Sequence, residues 1–337
     1  MKKKIAVVTI ASLAVLLLCI GIGSVSVMPG DGLSIIMNKL FGTKLSENIL
    51  PTDVSIFWDI RMPRALTAFM VGALLSVSGA IMQALLQNPL ASSYTMGVSA
   101  GASLGAAAVI ITGITSSILG MFLLPVCGFA AGLATVFLVL AFAVRIDRNM
   151  HNHTIILFGM VFSLFVNAIL TLVSTLYGEH MQRLILWQLG SFSGRRWIHV
   201  GILFICLILG TFGTMLRHRE LDIMSFGQEQ AQSMGVDIKA NKLILLLLSS
   251  FLTGAAVCFS GIIGFVDLTV PHIERKIFGA KHVLVIPMSV FLGGAFMALS
   301  DMVSRTILAP REIPVGAVTA LVGAPFFVWV YFNDRRQ

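Results

Sequence analysis

The side chains able to do chemistry are few, and they sit where water is scarce. Asp267, His272, Glu274 and Asp301 interrupt apolar stretches in the last third of the chain. Carboxylates inside a membrane are the material of a proton or ion relay, which would make the chain an ion-coupled transporter working alone. Asp267 and Asp301, however, fall near the expected outer ends of their runs rather than mid-membrane. His272, beside Pro271, has no second imidazole or cysteine at ligand spacing, and a structural hydrogen bond accounts for it. A second set is uncharged: Ser163, Asn167, Thr171 and Ser174 recur at i, i+4, i+8 and i+11, on one helix face. An amide in lipid must find a partner or water. The stripe therefore either bonds a neighbouring helix or lines a path, and because Ser and Thr can bond their own helix, both remain open.

No phosphate-binding G-x-x-x-x-G-K-[ST] loop, HExxH pair or nucleophile elbow occurs in the chain. The expectation is a protein that is not an enzyme, with no catalytic residue, cofactor or metal of its own. Cys19, Cys127, Cys206 and Cys258 all lie in apolar runs without CxxC spacing and read as small hydrophobes.

The elements that carry these residues are membrane helices. At 57% hydrophobic and 11% charged, with mean hydropathy +0.94, the chain is too apolar for a soluble domain. Apolar runs near 5–28, 64–86, 95–114, 118–144, 154–177, 198–216, 241–262, 283–303 and 314–332 approach or exceed the roughly 18–20 residues that cross a hydrocarbon core. The first, behind MKKK, is longer than a signal-peptide core and reads as an uncleaved span. A tenth segment, 263–279, is short and polar, and hydropathy alone leaves it open. Charge decides. With ten spans and both ends inside, 14 of the 23 basic residues, Arg335 and Arg336 among them, gather in cytoplasmic segments close to span ends. The net charge of +8 is then positive-inside bias and not an affinity for nucleic acid. Membrane lipid is the expected surround.

This topology leaves Arg61, Arg64 and Arg305 outside, at span ends, against the bias. A negatively charged partner docking there explains them, and snorkelling to headgroups is the alternative. Gly97, Gly101 and Gly105, like Gly72, Ser76 and Ala80, have the spacing that lets helix backbones approach. In the cytoplasm, residues 219–242 form a long polar interruption with helix punctuation. Ser225 with Gln228 has capping-box spacing, and Gly235 stands where a C′ glycine would end a helix. The spacing predicts a short helix over 226–234, weakened by Gly227 at its start. Its expected role is a surface for a partner.

Several ordered blocks resemble the permease subunits of the type II ATP-binding-cassette importers for iron–siderophores, haem and cobalamin. They are Arg61–Ala91 (RMPRALTAFMVGALLSVSGAIMQALLQNPLA), Met96–Ala106 (MGVSAGASLGA), WQLG at 187–190, GQEQAQSMG at 227–235, GIIGFVDLTVPHIER at 261–275, DMVSR at 301–305 and EIPVGAVTALVGAPFF at 312–327. Together they span roughly 58–332. Asp267 stands where such chains usually carry glycine, and Ser93 where proline follows NPLA.

The resemblance implies an all-α polytopic protein of about ten transmembrane helices. One permease domain would cover 1–337, with a coupling segment at 219–240, in the bacterial cytoplasmic membrane with both termini cytoplasmic. It implies a cytoplasmic ABC ATPase dimer, an extracytoplasmic substrate-binding protein and a second permease copy or homologue as partners. It assigns Arg61, Arg64 and Arg305 to binding-protein docking. Ser225, Gly227, Gln228, Ala231 and Gly235 fall to ATPase coupling, and Met160, Ser163, Asn167, Thr171 and Ser174 to the translocation pathway. Iron–siderophore is the expected cargo, with haem or cobalamin as alternatives.

Overall fold

The computed structural model describes residues 1–23, 29–45, 49–113 and 118–334, and every regular element among them is helical. The expected tail of the first span beyond residue 23, the last residue of the third, and Arg335 and Arg336 lie outside the described residues. In chain order the helices are α1 (Lys2–Gly21), α2 (Pro29–Phe41), α3 (Pro51–Ser55), α4 (Met62–Leu86), α5 (Val98–Ile111), α6 (Ile118–Ile146), α7 (Asn152–Leu176) and α8 (Met181–Gln188). They continue as α9 (Trp197–Met215), α10 (His218–Met224), α11 (Gln228–Ser233), α12 (Ile238–Ser260), α13 (Val266–Phe278), α14 (His282–Thr306) and α15 (Val315–Asp334). A π-helical turn, Ile56–Arg61, joins α3 to α4 without a break.

Seven of these are long and apolar enough to cross a membrane: α1, the continuous α3–α4, α6, α7, α9, α12 and α14. The other three expected spans fall on the 14-residue α5, the 13-residue α13 and α15. At 13 residues, α13 extends about 20 Å, well short of a hydrocarbon core of about 30 Å. It begins at Phe265, a left-handed residue with φ 71°, after the non-helical stretch 261–264.

The hub is α4. Its residues are mostly small or apolar, and its uncharged polar side chains Thr67, Ser76, Ser78 and Gln83 are buried within the bundle. It packs against α14, α12, α13 and α9. Gly72 and Gly293 explain how α14 comes so close: a Cβ at Gly72 would meet the Gly293 carbonyl oxygen at 2.1 Å. Gly101 and Gly105 form the corresponding seam of α5 on α6, where a Cβ would lie 2.6 Å from Ala131 O and 2.3 Å from Cys127 O. Gly97 has a different task, as the left-handed residue (φ 82°) that turns Ser93–Met96 into α5.

Candidate functional site

Polar side chains lie at the two ends of the bundle, along α7, and in a buried hydroxyl cluster of Ser78, Ser93, Ser249 and Thr253 between α4 and α12. At one end lie α10 and α11. Ser225 does not cap α11: it closes α10, and its hydroxyl donates to Asp222 O at 2.7 Å. The N-cap of α11 is Gly227, whose φ of 127° few side chains tolerate, so backbone geometry overrides the Ser225–Gln228 spacing. The helix accordingly runs over 228–233 rather than 226–234. Gly235 has the φ expected after a helix end, 84°. Ala231 is fully buried and fixes α11 to the bundle, while Phe226 and Met234 on either side are exposed.

Gln228 Nε2 donates to Asn152 Oδ1 at 2.8 Å, tying α11 to the turn between α6 and α7. Around this bridge opens a cleft of about 800 Å³, with Arg148, His151 and His153 on one wall and Gln230, Gln232 and Lys239 on the other. Asp147 organises the turn by accepting from the backbone N–H groups of Asn149 and His151, the His151 ring and the Thr154 hydroxyl. Desolvation works against its charge. The hydrogen bonds from His151, Thr154 and Asn149 outweigh it and hold the carboxyl well below the usual carboxylate range. Beneath the turn, the buried ammonium of Lys242 donates to Met150 O.

At the opposite end the three arginines are together, facing inward. Arg64 forks onto Asp301 of α14 (Nη2–Oδ1 2.8 Å, Nε–Oδ2 3.1 Å) and onto Glu312 (Nη1–Oε1 2.6 Å). Arg305 lies 3.5 Å from Asp301 and donates to Cys19 O, while Arg61 donates to Gly21 O at 2.9 Å. Arg61 and Arg64 are 4% and 7% exposed, so neither points freely to a surface. The cluster unites three guanidiniums with two carboxylates and keeps a net positive charge.

The acids of an ion relay are likewise held in internal contacts. Asp301 belongs to Arg64, and Glu274 accepts from Ser289 at 2.5 Å. Asp267 accepts from Ser92, and its own backbone carbonyl accepts from Gln83 on the half of α4 nearer the α10–α11 end. It is therefore not near the outer mouth, because α13 starts within the bundle.

Along α7, Asn167 and Thr171 are exposed, and Met160 is 49% exposed. Asn167, Thr171 and Ser174 line a concavity of about 490 Å³ with Thr175, Met181 and Gln188. Ser163 lies outside it, its hydroxyl bonded to Gly159 O. The positioning residues Gln87, Asp222, His282 and Asn152 carry no motif and went unread in the sequence; the i, i+4 spacing of Asp301 and Arg305 was the one local signal for the ion cluster.

The FecCD transport family model matches residues 10–333. An uncharacterized ABC transporter permease protein of Bacillus subtilis, YvrB, is 41% identical over 85% of this chain and 81% of its own length. The hemin transport system permease protein HmuU of Yersinia pestis is 32% identical over 96% and 95%. The cobalamin import system permease protein BtuC of Halobacterium salinarum is 34% identical over 88% and 78%. Among solved structures, one described as a metal-chelate type ABC transporter in an inward-facing conformation superposes with TM-score 0.84 at 28% identity, covering 98% of this chain and 99% of that one.

Proposed function

The chain belongs to the FecCD transport family and is an ABC-importer permease, and from that premise we propose that it forms the path for an iron–siderophore complex. Haem and cobalamin, the cargoes in the names of two relatives, are the alternatives. We further propose a single permease domain with its coupling segment at 219–240 and both termini on the cytoplasmic side.

The observation that carries the pathway is α7. A long apolar helix that presents the exposed Asn167 amide over a concavity of about 490 Å³ turns that side to lipid only at a cost, whereas the Thr171 hydroxyl is satisfied by Asn167 O of its own helix. A second permease copy or homologue covering it would enclose a path lined by Met160, Ser163, Asn167, Thr171 and Ser174. That lining is uncharged, which suits a bulky chelate whose own ligands already neutralise its metal. At the cytoplasmic end, Gly227, Gln228, Ala231 and Gly235, with Ser225 at the preceding helix end, would receive the ATPase, with Phe226 and Met234 as apolar anchors. At the outer end, the net positive cluster of Arg61, Arg64 and Arg305 would attract acidic lobes of a binding protein.

Thiol accessibility tests the path. In the assembled importer, Asn167→Cys is expected to react with a membrane-impermeant thiol reagent, whereas Leu209→Cys on the apolar outer face of α9 does not. Equal reactivity at both positions, or none at Asn167→Cys in any nucleotide state, contradicts the assignment.

A further inference from the structure

We propose that α4 and α14 form one strut that carries motion between the coupling segment and the arginine cluster, with the Asp222–His282 contact as its inner joint. The proposal rests on the coupling segment facing an ATPase. Four contacts support it, and they lie at the two ends and the middle of one helix pair.

At the inner end, Asp222 of α10 accepts twice from the first residue of α14: from His282 N at 2.8 Å and from His282 Nδ1 at 2.6 Å. His282 is 2% exposed, so the joint is dry on the side of the strut. Beside it, Gln87 at the end of α4 donates to Met224 O at 3.1 Å, so both helices are fastened to the same short helix. In the middle, Gly72 and Gly293 bring the two backbones into contact, with the Ser76 and Met297 side chains packed tightly at the same seam. At the outer end, Arg64 of α4 grips Asp301 of α14 through two nitrogens.

A pair pinned at both ends and close-packed between them moves as a unit, because such an interface deforms little. With 25 residues, α14 spans about 37 Å, enough to link the two faces directly. Within the chain α7 packs mainly on α5 and α6 and not on the strut, so displacement of the strut would be felt there as relative motion. Asp222 and His282 are positioning residues in this account; neither touches cargo or nucleotide.

A bimane fluorophore at Arg311→Cys, on the exposed turn after α14, reads the outer end. The four native cysteines are replaced, and the copurified importer is compared without nucleotide and with ATP plus orthovanadate. The unmodified strut is expected to give a nucleotide-dependent emission shift. Asp222→Ala, which removes the oxygen that accepts both bonds, is expected to lose the shift in complexes that still hold the ATPase. His282→Asn, which keeps a side-chain donor near Nδ1, is expected to retain it. If Asp222→Ala sheds the ATPase, His282→Ala, which removes the ring donor and keeps the backbone one, carries the test with the coupling segment unaltered, and a reduced shift is expected while the bound ATPase still hydrolyses ATP. A full shift in the alanine variant overturns the joint, as does equal loss in His282→Asn. An unmodified chain that holds its ATPase but shows no shift overturns the strut alone; one that holds no ATPase overturns the proposed function beneath it.

Discussion

Arg64 and Asp301, 237 residues apart in sequence, form a buried fork in which two guanidinium nitrogens lie 2.8 to 3.1 Å from the carboxylate. The pair fastens the first turn of the central helix to the last turns of α14, and Glu312 closes it from the side.

Removing one half of this pair strands the other. Arg64→Met is expected to destabilise the protein by up to about 3 kcal/mol, because the buried Asp301 loses its hydrogen-bonded partner and keeps only the longer 3.5 Å contact with Arg305. The double variant Arg64→Met, Asp301→Leu recovers most of that loss. Thermal unfolding in one detergent, with both variants side by side, checks the order; a single variant as stable as the double one contradicts the internal role of Arg64.

The α4–α14 seam makes a steric prediction. Gly72→Ala sets a Cβ 2.1 Å from a backbone oxygen that cannot swing aside, and overpacking of this kind costs about 1–3 kcal/mol. Gly201→Ala on α9 meets nothing within 4 Å and is expected to be neutral or stabilising by up to about 1 kcal/mol. Equal melting temperatures for the two variants would show that the helices do not pack this closely.

Ala231→Pro attacks the coupling helix from within. It removes the bond from Ala231 N to Gly227 O and places a ring where the side chain is fully buried, at a local cost of about 3 kcal/mol. The spans are expected to fold and the protein to stay in the membrane, with cargo-stimulated ATP hydrolysis lost. Full stimulation in this variant would remove 227–235 from the coupling surface.

The turn at 147–154 gives a pH prediction. Asp147 has a depressed folded pKa, so its contribution is complete above the unfolded value of about 3.9 and fades only as pH falls through the lower folded value. Amide exchange of the turn, corrected for intrinsic rate, is therefore expected to stay constant from about pH 8 to pH 5. Asp147→Asn raises it at every pH in that range. Protection that falls steadily across this window in the unmodified chain would contradict the role given to the carboxylate.

Much of this architecture was legible because its signals are local. Apolar runs marked the helices, small-residue spacing marked the seams at Gly72 and at Gly101–Gly105, and the α7 stripe followed from period alone. What was misread depends on partners distant in sequence or on backbone torsion. Ser225 has the chemistry and spacing of an N-cap, but the φ of Gly227 starts the helix two residues later. Asp267 reads as an outer-end residue only if its segment crosses the whole membrane, and α13 is too short to do so. The arginines looked outward because they end apolar runs. Their carboxylates are contributed by α14 and by the loop before α15, which no window around residue 64 contains.

The central claim, a permease driven by a separate ATPase, is tested most directly by purifying the tagged chain from its native membranes in mild detergent and weighing the intact complex. The account predicts two permease chains, this one paired with itself or a homologue, together with an ATPase in equal number. A chain that emerges alone from several mild detergents, without an ATPase, would contradict it.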